Sequence, residues 1–103
     1  MKATKRDKLD RAGWAVGSAA EFLELNREEA TFVEMKVALS QSLRQWRNRQ
    51  GLTQGELATR LNSSQSRVAK MEAADPTVSV DLLLRSLLRL GARRKDIARA
   101  MAP

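Results

Sequence analysis

The sequence contains no cysteine and no histidine. These absences exclude disulfides, thiolate nucleophiles, zinc sites with Cys or His ligands, and acid–base chemistry based on histidine. The carboxylates fall at helix starts or on helix faces expected to be exposed, so none of them forms a credible acid–base pair. We therefore predict that the protein is not an enzyme and has no catalytic residues, no metal site and no cofactor.

Aromatic residues and long apolar runs are also scarce. Two Trp and two Phe are the only aromatics among 103 residues, so Leu, Val, Ala and Met must supply most of the core, as is typical of packed helices. No apolar run is long enough to span a membrane, and the basic start of the chain is not followed by an apolar segment. We expect a soluble, cytoplasmic protein that does not bind membranes.

Charge is distributed unevenly along the chain, whose formal net charge is +7. Residues 35–103 carry thirteen basic and five acidic side chains, whereas residues 12–34 carry one basic and five acidic. The positive segment would attract a polyanion such as DNA. An excess of Lys and Arg also makes a soluble surface, and charge alone does not separate the two explanations. The same holds for the basic residues 1–11, which either follow DNA or form a solvated terminus.

Apolar spacing predicts an all-α fold, with residues 1–34 as an extension and residues 35–103 as a compact module. Ser18 and Asn26 each precede a glutamate by three residues, the spacing of a capping box. We therefore predict a short helix after Ser18 and a separate long helix from Asn26 to Gly51. The long helix carries one apolar stripe, which consists of Phe32, Met35, Leu39, Leu43 and Trp46. Its place on this stripe favours a core position for the tryptophan over nucleotide stacking.

Two short helices are predicted after Gly51. Thr53 and Glu56 have the spacing of a capping box that opens the first. Asn62 tolerates the positive φ that a tight turn needs. Ser63 or Ser64 can cap the second helix, which runs to Glu72 or Ala73. The apolar residues expected to join the two helices are Leu57, Ala58, Leu61, Val68 and Met71.

Two further helices complete the prediction. Pro76 interrupts the chain, and the fourth helix of the compact module, not counting the short helix after Ser18, follows Ser79 and ends at Gly91. Residues 94–101 form a fifth, whose inward side chains we expect to be Ile97, Ala98 and Met101.

Two helices joined by a tight turn match the helix-turn-helix pattern, whose second helix enters the major groove of DNA. The outward face of the second helix carries no acidic group, and its Gln and Lys side chains can pair with base edges. The same residues could be ordinary solvated ones. The face comprises Gln65, Ser66, Ala69 and Lys70.

The stretches Leu-Thr-Gln-Gly-Glu-Leu-Ala at 52–58 and Ser-Gln-Ser-Arg-Val-Ala-Lys-Met-Glu at 64–72 resemble Cro/repressor-type helix-turn-helix regulators, also called XRE-type. The resemblance covers about residues 38–91 and implies a lambda-repressor-like five-helix module. The sequence departs from the family pattern at Gly55, at Asn62 in place of the usual turn glycine, and at Ala73-Ala74.

The resemblance also implies roles for individual residues. It assigns base contacts to the second motif helix, phosphate contacts to residues around it, and a structural ion pair to Arg47 with Glu72. Arg67 has an alternative, which is to pair with Glu56. The implied base contacts are Ser64, Gln65, Ser66 and Lys70, and the implied phosphate contacts are Thr53, Gln54, Arg67 and Thr77.

For the whole protein, the resemblance implies a regulator, in particular a repressor, that binds a palindromic double-stranded operator as a homodimer. The fourth helix and residues 97–101 rank ahead of the extension as the dimer surface. The alternative is a HigA-type antitoxin whose Glu-rich residues 21–34 oppose a small basic ribonuclease toxin. A helical adaptor that binds only proteins is disfavoured by the charge of residues 35–103.

Overall fold

The computed structural model describes residues 19–103, and predictions for Ser18 and the basic arm lie outside this range. The all-α prediction is confirmed, because the described residues form helices and turns without a strand. The helices are α1 (Ala19–Arg49), α2 (Gln54–Arg60), α3 (Gln65–Glu72), α4 (Val80–Arg89) and α5 (Arg94–Met101). Across these residues, no helix has both the length and the apolar character that a membrane span requires.

Helix α1 is continuous, so the prediction of a short helix followed by a separate one from Asn26 is wrong. No Gly or Pro lies between Ala19 and Arg49 to end a helix. An asparagine in a helix interior costs well under ~1 kcal/mol relative to alanine, and capping side chains act only where a helix begins. The chain divides into two units, with the boundary between Val33 and Glu34.

The core of the second unit forms around one face of α1. Leu39 and Leu43 are fully buried there, and Trp46 packs partly buried against the same core. Phe32 and Met35 continue the apolar stripe toward the N-terminus but are 51% and 36% exposed. The stripe predicted from the sequence is therefore longer than the part that the core covers.

The ends of the helices are defined by local interactions. Gly51 and Gly91 adopt positive φ (+70° and +103°) after α1 and α4, a conformation that favours glycine. The Gln50 side chain donates from Nε2 to the Leu90 carbonyl at 2.7 Å and so links the ends of these two helices. In α5, Ala98 is exposed, contrary to the expectation that it points inward.

Candidate nucleic-acid interface

Helix α2 begins at a reciprocal capping box. Thr53 Oγ1 accepts a hydrogen bond from the Glu56 amide at 3.0 Å, and the Thr53 amide donates to Glu56 Oε1 at 2.8 Å. The helix buries Leu57 and Ala58 against the core. With seven residues it is too short to be stable alone, so this packing holds it in place.

The turn after α2 depends on one left-handed residue. Asn62 has φ +53°, as the sequence predicts, and asparagine tolerates this region better than most residues. The Ser63 amide donates to the Ala58 carbonyl at 2.8 Å and closes the end of α2. Ser64 is the N-cap of α3, because its Oγ accepts the Arg67 amide at 3.2 Å. The open choice between Ser63 and Ser64 is thereby resolved.

Helix α3 has a buried side and an exposed side. Val68 and Met71 are 0% and 1% exposed and pack into the core. The opposite side bears polar and basic side chains and no carboxylate, which suits a surface that meets DNA. The exposed residues on it are those to which the resemblance assigns base contacts: Ser64, Gln65, Ser66 and Lys70.

A hydrogen-bonded network fixes the C-terminal end of α3. Arg47 Nε and Nη2 donate to the two carboxylate oxygens of Glu72 at 2.6 and 3.1 Å, and Nη1 donates to the Leu52 carbonyl at 2.8 Å. The two side chains retain 12% and 5% of their exposure. The hydrogen bond with Glu72 raises the pKa of Arg47, so the guanidinium stays charged.

Gln54 joins the same network, since its Nε2 donates to Glu72 Oε1 at 3.1 Å. The resemblance implies a phosphate contact for Gln54, and the structure shows a half-buried side chain at the start of α2 that ties α2 to α3. The Gln65 side chain also lies near the start of α2, as its Oε1 is 3.9 Å from where a Cβ on Gly55 would be.

Two further residues with predicted phosphate contacts lie on the other flank of α3. Arg67 is exposed, and no ion pair joins it to Glu56 in the described chain, so the alternative pairing is not found. The hydroxyl of Thr77 donates to Asp75 Oδ1 at 2.6 Å, and its amide donates to the same oxygen at 2.9 Å. Together these bonds hold the pKa of Asp75 below its ordinary value of 3.8, the side-chain bond contributing most.

The structure gathers part of the predicted site around one open cavity of about 270 Å³ beside α3. Ser64, Ser66 and Lys70 line this cavity together with Arg67 and Thr77. It therefore brings together three of the predicted base contacts and two of the predicted phosphate contacts.

Sequence reasoning missed two features that shape the segment after α3. Lys36 donates from Nζ to the Asp75 carbonyl at 3.0 Å and ties this segment to α1. Ala74 has φ +54°, although alanine gains nothing from this conformation. The departure at Ala73-Ala74 from the glycine-containing family pattern was a sequence signal for the positive φ of Ala74. No sequence signal identifies the bond between Lys36 and Asp75, which lie 39 positions apart.

Comparison with known families agrees with this geometry. Residues 43–91 match a family model described as helix-turn-helix. The matched segment spans α2, the turn, α3 and α4, the elements that carry the candidate interface. Neither the curated proteins nor the solved structures include a match to the chain.

Proposed function

We propose that the protein is a transcriptional regulator that reads a specific DNA sequence with α3 in the major groove. The observation that carries this proposal is the exposed, carboxylate-free face of α3, anchored by the buried Arg47–Glu72 pair. Glutamine pairs in a bidentate manner with adenine, and lysine donates to guanine O6 and N7. Gln65 and Lys70 are therefore the principal proposed base contacts, supported by Ser64 and Ser66.

The phosphate contacts belong to the same proposal. The Thr53 hydroxyl accepts the Glu56 amide and retains its own hydrogen for a phosphate oxygen. Gln54 has a second amide hydrogen besides the one directed at Glu72. Arg67 is exposed, whereas Thr77 must first rotate away from Asp75. Such contacts orient α3 on the duplex without reading its sequence.

The test begins with selection of bound duplexes from a random pool, followed by titration of the selected and a scrambled duplex at one salt concentration. The double variant Gln65→Ala/Lys70→Ala should lose at least about tenfold in affinity for the selected duplex, because each good base contact contributes ~1–3 kcal/mol of discrimination. Its matched control is Gln41→Ala/Lys95→Ala, which removes the same two residue types from exposed positions on α1 and α5.

The control should keep the wild-type preference for the selected duplex. Equal affinity of the wild type for selected and scrambled DNA would contradict sequence-specific reading. Loss of preference in the control variant would show that charge alone, and not the α3 face, produces the effect.

We also propose that the protein acts as a homodimeric repressor on a palindromic operator. An eight-residue α3 spans only a few base pairs, and twofold pairing is the usual way to reach useful affinity. Leu88 on α4 is 53% exposed, which favours this helix, together with the Ile97–Met101 part of α5, as the dimer surface.

Sedimentation velocity separates the proposed dimer surfaces. Leu88→Glu should yield a monomer if α4 forms the interface, whereas Phe32→Glu should do so if the N-terminal part of α1 forms it. A wild-type monomer at all concentrations, both alone and on the selected duplex, would contradict the dimer.

A reporter gene placed behind the selected sequence should be expressed less when the protein is present, and an increase would indicate an activator.

A second candidate function is that of an antitoxin. It is favoured by the N-terminal half of α1, where Phe32 and Val33 are 51% and 50% exposed next to several glutamates. Such an apolar and acidic surface suits a small basic ribonuclease toxin.

Co-expression with the product of an adjacent small basic reading frame tests this function. The wild type should relieve toxicity and Phe32→Glu should not, while the absence of such a frame or of any relief counts against it.

A further inference from the structure

A second groove lies between the α2–α3 turn and α4. Its volume is about 540 Å³, within the range of ~300–1,000 Å³ that small-ligand sites occupy. Met71 and Leu82 contribute apolar atoms to its lining, and the turn residues from Asn62 to Ser64 form one wall. It is separate from the cavity beside Lys70, although Ser64 and Arg67 border both.

Three arginines line this groove, namely Arg67, Arg85 and Arg89. The only carboxylate paired with any of them in the described chain is Asp81, which accepts from Arg85 Nε at 3.0 Å while both side chains remain about three-quarters exposed. Arg67 and Arg89 have no carboxylate partner among the described residues. The groove therefore carries an excess of positive charge, which an anion would neutralise.

The hydroxyl group of Ser63 is not an accessible donor of this groove. Ser63 lines the groove, and its Oγ is inaccessible to solvent and makes no hydrogen bond in the described structure. An atom that water cannot reach is equally out of reach of a phosphate oxygen, so the accessible charged donors of the groove are those of its arginines. The charged donors of the groove that lack a carboxylate acceptor among the described residues are thus Arg67 and Arg89.

We propose that this groove binds the phosphate group of a phosphate ester, with the guanidinium groups of Arg67, Arg85 and Arg89 as donors. Guanidinium groups bind phosphate oxygens through two parallel hydrogen bonds, which gives both strength and geometry. The apolar atoms of Leu82 would contact the sugar or carbon body of the ester. The phosphate could belong to a DNA strand beside the groove or to a free phosphorylated metabolite, and the recognition chemistry is the same.

The test compares Arg85→Gln/Arg89→Gln with the control Arg94→Gln/Arg99→Gln, which removes two exposed arginines from α5. In the first arm, the Tm of each protein is measured in inorganic phosphate and compared with its Tm in sodium chloride of equal ionic strength. A free phosphate ligand near ten times its Kd should raise Tm by roughly 4 °C or more in the wild type and the control. The groove variant should lose this rise.

The second arm measures affinity for the selected duplex as a function of salt concentration. If the phosphate belongs to DNA, the plot of log K against log salt should be shallower in the groove variant than in the control, with a slope less negative by about one or more.

The proposal is overturned if the groove variant behaves like the control in both arms. The first arm does not depend on the proposed regulatory function. If the wild type binds no DNA, that function fails while the phosphate arm still decides the groove. If DNA binding is intact and neither arm responds, the groove proposal alone fails.

Discussion

Arg47 and Glu72 are the residues on which the orientation of α3 depends most directly. The pair is almost fully buried, and the carboxylate also accepts from Gln54, so that α1, α2 and α3 meet at one group. Such a pair need not add net stability, yet removal of one partner leaves a charge without compensation.

Glu72→Gln should therefore lower the free energy of unfolding by about 2 kcal/mol, somewhat less than the ~3–5 kcal/mol for a fully buried pair, because Arg47 keeps its bond to Leu52. Asp81→Asn is the control, since it breaks an ion pair of similar length at an exposed site and should cost at most ~0.5 kcal/mol. Urea denaturation measures both. Equal losses would show that burial does not distinguish the two pairs.

Ala74 is the other residue whose conformation bears on the segment after α3. Its φ of +54° is unfavourable for a residue with a Cβ by ~1–2 kcal/mol. Ala74→Gly should stabilise the protein by about 1 kcal/mol, because glycine adopts this conformation without that cost. At Ala73, where φ is −91°, the same substitution should be neutral or destabilising. Thermal unfolding of the two variants checks the assignment, and a gain at Ala73 instead would contradict it.

At the level of elements, α2 contains one residue that works against its helical conformation. Gly55 lies near its start, and a Cβ there would meet Gln65 Oε1 and Thr53 Oγ1 at 3.9 Å, which is ordinary van der Waals contact. The position therefore has room for a larger residue, and the glycine only reduces helix propensity.

Gly55→Ala should raise the free energy of unfolding by up to about 1 kcal/mol. The control is Gly51→Ala, which also has space around it but a φ of +70°, so alanine should be destabilising there. Chemical denaturation of both variants compares helix propensity with backbone strain. A loss of stability in Gly55→Ala would mean that the glycine serves the contact with Gln65.

At the scale of the whole molecule, acid should weaken the second unit through two carboxylates. The pKa of Asp75 is lowered by its bonds from Thr77, and the pKa of Asp96 is lowered mainly by a hydrogen bond from the Arg93 amide. Because both folded values lie below the unfolded value of 3.8, the unfolded state binds protons first as pH falls.

The stabilisation from these carboxylates is thus complete above the unfolded pKa and is lost as pH falls through the folded pKa. We expect stability to decline below about pH 4 and the decline to be shallower in Asp75→Asn/Asp96→Asn. Thermal unfolding between pH 2 and pH 6, about two units either side of that pKa, measures the difference. An identical pH profile for the double variant would show that these two groups do not contribute.

The sequence by itself determined where most helices begin and end, and which side of α3 faces outward. Thr53, Ser64 and Asn62 act on backbone groups within a few positions, and the helical period places Val68 opposite Ser66. Interactions of this range are encoded locally and can be read without a fold.

Only the tertiary structure decided what joins distant segments. The structure shows that α1 is one continuous helix. The sequence did not reveal this, because a capping pattern without a helix breaker is also compatible with a helix that has already begun. The structure placed Gln54 on Glu72 and Lys36 on the carbonyl of Asp75, and it placed Arg67 and Arg89 in the lining of one groove. These contacts depend on how the helices pack, which residue spacing alone does not specify. The exposed face of α3 was therefore predictable, whereas its anchoring network was only partly so and the arginine groove was not.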